Sequence, residues 1–150
     1  MPEEVKAVAP MFQIRAVELH ELSIKKPPVP GFSVTNFNFE IKIDANVDAN
    51  QKIILLATNI KVHGDDKITE LGSITCACAF SVSNFDEVVK IKSDNTFELD
   101  PPFAETLNSI AISTTRGMMF SELKGTILHN ALLPLIDIKT LTKAEFIARS

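Results

Sequence analysis

Apolar and polar residues alternate with period two through the first half of the chain, the signature of strands with one buried face. Between Phe12 and Lys25 the apolar positions change phase: Phe12 and Ile14 share one parity, Val17 and Leu19 the other, Leu22 and Ile24 the first again. A slip of one residue exchanges the faces of a strand, so this stretch predicts a long strand with one or two bulges, or a strand that bends. Phe37, Phe39, Ile41 and Ile43 then alternate with Asn38, Glu40, Lys42 and Asp44, a second strand that leads into a turn over 44–50. A third strand runs from about Lys52 to Val62, apolar at Ile54, Leu56, Ile60 and Val62. Its other face begins apolar (Ile53, Leu55, Ala57) and ends polar, as if one end were covered on both sides. The fourth, from about Ile68 to Ser83, sets Ile74, Cys76, Cys78, Phe80 and Val82 against a face of small side chains only.

The punctuation between these strands is equally readable. Pro27, Pro28, Pro30 and Gly31 forbid regular pairing and make 26–35 a stiff connection in which Phe32 and Val34 are embedded. His63-Gly64-Asp65-Asp66 is an ordinary polar turn. After a link over 85–99, Asp100 reads as an N-cap with Pro101 at the first helical position. Phe103, Leu107, Ile110 and Thr114 fall at helical spacing, so a long helix is expected to about Phe120, across Gly117. The stretch 127–135 suits either a helix or an extended segment. Thr142 to Glu145 is a capping box that starts a short last helix with Phe146 and Ile147 on its apolar side. Four strands followed by helices, without βαβ alternation, give an α+β fold with a four-stranded antiparallel sheet and helices on one face. The chain divides into a flexible tail, 1–11, and a single domain, 12–150.

With 150 residues, 45% of them hydrophobic and 23% charged, the chain has the balance of one globular domain. Its net charge is −4 and its Lys and Arg residues are scattered, which argues against a nucleic-acid partner. No run approaches the roughly 18 apolar residues of a membrane helix. The segment from Met1 to Pro10, with Glu3 and Glu4, lacks the build of a signal peptide, so the protein is expected to be soluble and cytoplasmic.

Chemistry-bearing residues are sparse. There is no Gly-rich phosphate loop, nucleophile elbow or H-E-x-x-H, and no enzyme or cofactor is expected. Cys76 and Cys78 share one strand face and are read as buried, reduced and metal-free thiols. Glu18, His20 and Glu21 read as a solvated strand surface, and Asp65 and Asp66 as turn residues rather than cation ligands. Arg116 interrupts an apolar helix and is expected in a helix-end or interface ion pair.

Taken in order, several segments resemble the export chaperone SecB. These are Phe12-Gln13-Ile14, Glu21-Leu22-Ser23-Ile24, the proline-rich crossover, and small residues leading into Phe80-Ser81-Val82. Ser113-Thr114-Thr115-Arg116-Gly117-Met118 and Leu133-Pro134-Leu135-Ile136 follow. The resemblance spans Phe12 to Phe146. It implies a homo-oligomer, in which subunits pair through their sheets and dimers join through the long helices. It also implies passive, ATP-independent holding of unfolded precursor polypeptides. A peptide groove would lie between the crossover and the last helix, lined by Phe32, Val34, Phe37, Phe146 and Ile147.

Two departures bear on the docking of the SecA motor, which the family receives on acidic residues of the outer sheet face. Glu21 matches one such position, but Lys25 stands where a second carboxylate is expected and Ser73 near another. The sequence also ends at Ser150 without the acidic extension common in export members. The alternative is therefore a binding module of the same fold dedicated to one partner, such as an antitoxin, or to a small apolar ligand.

Overall fold

The computed structural model describes residues 8–94 and 96–137. Four strands, β1 (Phe12–Ile24), β2 (Asn38–Asp48), β3 (Ile53–His63) and β4 (Glu70–Val82), form an antiparallel sheet in the order β1-β4-β3-β2. A helical turn α1 (Phe85–Val88) and a hairpin of β5 (Val89–Ile91) and β6 (Phe97–Leu99) fill the link that follows. The long helix α2 (Pro101–Glu122) then packs on β3 and β4. The short last helix expected from Thr142 lies outside the described residues.

The phase slips of the first strand are real bulges. Register shifts occur between Ile14 and Ala16 and again between Leu19 and Glu21. Each restores the apolar side chains to one face: Ile14 stands opposite Phe80, Val17 opposite Cys78, Leu19 opposite Cys76 and Leu22 opposite Ile74. Those partners belong to the face of β4 that α2 covers, so the large apolar residues of β1 turn toward the helix side of the sheet.

Three expectations need correction. β2 does not stop at Asp44 but continues to Asp48, because Ala45 is buried and Val47 packs on the core. The turn falls after it, where Asp48 accepts the N–H groups of Asn50 and Gln51 at 3.0 and 3.1 Å and Lys52 takes a left-handed φ of 57°. Leu55 is 41% exposed, so that end of β3 is covered on the helix side only. Asp100 occupies the N-cap position, yet its side chain caps nothing. Pro101 and Pro102 follow it and bring no N–H groups to the first turn.

The interior divides into two clusters. One joins Ile54, Leu56, Phe80, Phe85, Phe97 and Phe103 under the first half of α2, with Phe12 edging against the Phe80 and Phe103 rings at 6.2 and 5.2 Å. The other joins Ile60, Val62, Leu71, Ile74, Ile112 and Met119 with Leu123, Leu128 and Leu133 from the chain beyond the helix. Burying a Leu, Ile or Phe side chain is worth about 1.5–3 kcal/mol, so these clusters dominate the stability of the fold. Residues 9–11 are fixed to the domain by Asn84, which accepts the Met11 N–H at 2.9 Å and donates to the Ala9 carbonyl at 2.9 Å.

Candidate functional site

β1 and β2 lie at opposite edges of the sheet, so the chain between Ile24 and Asn38 must cross its whole width. The prolines keep that crossover out of any ladder. Its side chains Phe32, Val34 and Phe37 are half-buried against the second cluster, and Phe39, Ile41 and Ile43 continue the same apolar surface along β2.

The chain after α2 returns to the same end of the sheet. It is neither helix nor strand; a series of turns carries it past Gly125, which takes a left-handed φ of 76°, and it then runs on through Leu133 without regular structure. Two features hold it there. Arg116 reaches out from α2, its Nε donating to the Leu133 carbonyl at 2.8 Å and its Nη2 to the Pro134 carbonyl at 3.0 Å. No ion pair involves Arg116 among the described residues, in place of the one expected; two backbone carbonyls hold the guanidinium. Gly72 supplies the second feature. A Cβ there would stand 2.6 Å from Leu128 Cδ1 and 2.6 Å from the Ser23 carbonyl oxygen, so only glycine lets the segment and β1 approach β4 together.

The structure therefore brings Phe32, Val34 and Phe37 onto one cluster with Leu133, Met118 and Ile136. Phe146 and Ile147 lie outside the described residues. Sequence reasoning missed Arg116 as an anchor and Gly72 as a point of close approach. The lone guanidinium in an apolar helix was the signal for the first. A glycine at a small-residue stretch of a strand was a weak signal for the second.

The opposite face of the sheet is polar and small. Ala16, Leu55, Ala57, Ala77 and Ala79 line a shallow recess of about 280 Å³, bordered by Glu18 and His20, whose side chains meet at 3.2 Å. Of the residues expected in a SecA-type surface, Glu21 is exposed opposite Thr75. Lys25 is paired with Glu70 at 3.1 Å, and Ser73 is only 9% exposed between Ser23 and Lys61.

The thiols are buried. Desolvation raises the pKa of Cys76, and pushes that of Cys78 up to about 11. Asp66, at the β3–β4 turn, is held down at about 2 by the Thr69 hydroxyl and by the N–H groups of Ile68 and Thr69. Among the described residues no helix is long and apolar enough to cross a membrane.

No family model matches the chain, and no curated protein does. Among solved structures there is a match. The chain is similar to a SecB-like chaperone. That protein, from Mycobacterium tuberculosis, was solved in complex with a ChAD peptide from the HigA1 antitoxin; it is 15% identical, with a TM-score of 0.48, over 83% of this chain and 90% of that one.

Proposed function

We propose that this protein is a SecB-like, ATP-independent chaperone that holds unfolded polypeptides on the apolar surface formed by the crossover and the chain after α2. The observation that carries the reading is the set of aromatic and aliphatic side chains Phe32, Val34 and Phe37. They are anchored on one side in the second cluster and open on the other. A surface of this kind accepts many sequences, because it offers burial rather than directional hydrogen bonds. The prolines restrict the crossover before binding, so little backbone freedom is lost on capture. Phe146 and Ile147 complete the lining in this reading.

Clients outside the SecA route fit the outer face better. Lys25 is engaged with Glu70, Ser73 is nearly covered, and Glu21 alone offers an exposed carboxylate at the expected positions. SecA binding is therefore weak or absent, and a dedicated partner such as an antitoxin is the second reading.

The test is suppression of aggregation of a slow-folding client without ATP, comparing the parent with the double variant Phe32→Ser, Phe37→Ser. Both rings are half-buried, so the double variant also loses about 2–3 kcal/mol of stability. Val89→Ala, which thins the first cluster by a similar amount, is the control for that loss. Protection that survives Val89→Ala and vanishes in the double variant supports the site. A double variant that still protects places the site elsewhere. A parent that protects nothing transfers the case to the dedicated-partner reading.

A further inference from the structure

The crossover makes no ladder of its own, yet it is fixed in place by the turn between β3 and β4. The Asp65 carboxylate accepts the Thr35 N–H at 3.1 Å on Oδ2 and the Asn36 N–H at 2.7 Å on Oδ1. The Asn38 side-chain amide donates to the Gly64 carbonyl at 2.9 Å. The Phe32 ring lies over Gly64, its Cζ 3.9 Å from where a Cβ would stand. Next to this corner His63 Nε2 meets Glu40 Oε2 at 3.4 Å.

The two aspartates of the turn have separate tasks. Asp66 closes the turn on itself through the N–H groups of Ile68 and Thr69, with Lys67 in a left-handed φ of 61°. Asp65 is thereby presented outward, where its two oxygens span two consecutive backbone N–H groups of another segment. The residues on both sides of that contact are exposed. Water would satisfy the Thr35 and Asn36 amides if the carboxylate were lost, so the contact contributes little to global stability. What it does set is where the crossover stands, one residue from Val34 and one from Phe37.

We infer that the β3–β4 turn is a latch for the crossover, with Asp65 as a positioning residue that holds Phe32, Val34 and Phe37 in their polypeptide-gripping arrangement. This rests on the proposed function. A crossover released from the latch samples other positions, and apparent affinity falls in proportion to the fraction of time it spends in the competent one.

The experiment uses the full chain, with Asp65→Ala and Asp65→Asn, and two measurements. One is amide hydrogen exchange at Thr35 and Asn36; the other is affinity for reduced, carboxymethylated α-lactalbumin, a permanently unfolded chain. Asp65→Ala should speed exchange at both amides and weaken binding about tenfold, with the melting temperature little changed. Asp65→Asn keeps one acceptor and should recover part of both. Unaltered exchange at Thr35 and Asn36 in Asp65→Ala overturns the latch, and so does full affinity in a variant whose amides have been released. If the parent itself binds no unfolded chain, the functional reading fails, and the exchange data alone then decide whether the turn fixes the crossover.

Discussion

The helix side of β1 is apolar and only partly covered by the described residues, and this bears on how the protein should associate. Ile14, Val17, Leu19, Leu22 and Ile24 all face the side on which α2 lies, yet α2 sits over β3 and β4 and leaves them 47, 41, 39, 36 and 37% exposed. Among the described strands it is also an edge, where a row of backbone groups has no neighbouring strand. Full burial of such a side chain is worth about 1.5–3 kcal/mol, so covering the remaining two-fifths yields about 0.6–1.2 kcal/mol each. Counted over two copies, that is about 6–12 kcal/mol, comparable with the roughly 4–15 kcal/mol that association costs. Main-chain pairing between the two edges, or cover from the partner's helix, should then tip the balance toward a symmetric dimer.

Glu18 is the midpoint of the strand, so antiparallel self-pairing brings Val17 and Leu19 near the two-fold axis. Leu19→Glu introduces two carboxylates there and removes two apolar contacts, a loss of about 3 kcal/mol or more and hence about a hundredfold in dissociation constant. Glu18→Gln, on the opposite face and facing its own copy across the axis, should not weaken association. Sedimentation equilibrium at micromolar concentration is the assay. A monomeric parent, or a Leu19→Glu variant that self-associates as tightly as the parent, refutes the reasoning.

Gly72→Ala must push its new Cβ away from the Ser23 carbonyl, which is backbone and has nowhere to go; a loss of about 1–3 kcal/mol is expected, at about 2–4 °C of melting temperature per kcal/mol. An unchanged melting temperature would show that β1, β4 and Leu128 are less tightly packed at this point. Burial should keep both thiols unreactive toward iodoacetamide at pH 8 in the native protein, and both should react after denaturation. Because the unfolded thiol ionises near 9 while Cys78 stays protonated to about 11, stability should fall as pH rises across that window; a flat urea midpoint from pH 9 to 11 would contradict it.

Much of this architecture is legible in residue pattern because it rests on faces. The bulges of β1 follow from parity alone, since apolar residues that change phase can share a face only if extra residues are inserted. The long helix follows from spacing at Phe103, Leu107 and Ile110. What pattern could not show depends on contacts between distant segments. The sequence DANVD has turn-forming residues, yet it is strand here because Val47 meets the first cluster from across the sheet. Asp65 reads as a turn residue because its partners, Thr35 and Asn36, are thirty and twenty-nine positions away. Gly72 marks a meeting of β1, β4 and the chain after α2, which no local signal encodes. Phe32, Val34 and Phe37 were visible as apolar residues in a proline-bound loop, whereas their common support by Leu133 and Ile136 was not.

The two clusters also explain how a fold of this size can carry an open apolar surface without losing its stability. Their boundary runs across the sheet on the helix side: Thr58 lies between Leu56 and Ile60 on β3, and its cross-strand partner Cys76 lies between Cys78 and Ile74 on β4. From α2, the buried Thr115 meets Cys76 in this row and donates to the Ala111 carbonyl at 2.7 Å, while Thr58 Oγ1 finds no partner among the described residues. A buried polar atom left unpaired costs about 1–3 kcal/mol, so this row contributes less to stability than the apolar clusters on either side of it. On one side of it lies an all-apolar block closed by Phe80, Phe85 and Phe103; on the other lie the crossover, the latch and the chain after the helix. Packing defects introduced around Phe32 need not cross that line. The first cluster should therefore keep the beginning of α2 folded when packing in the second is loosened.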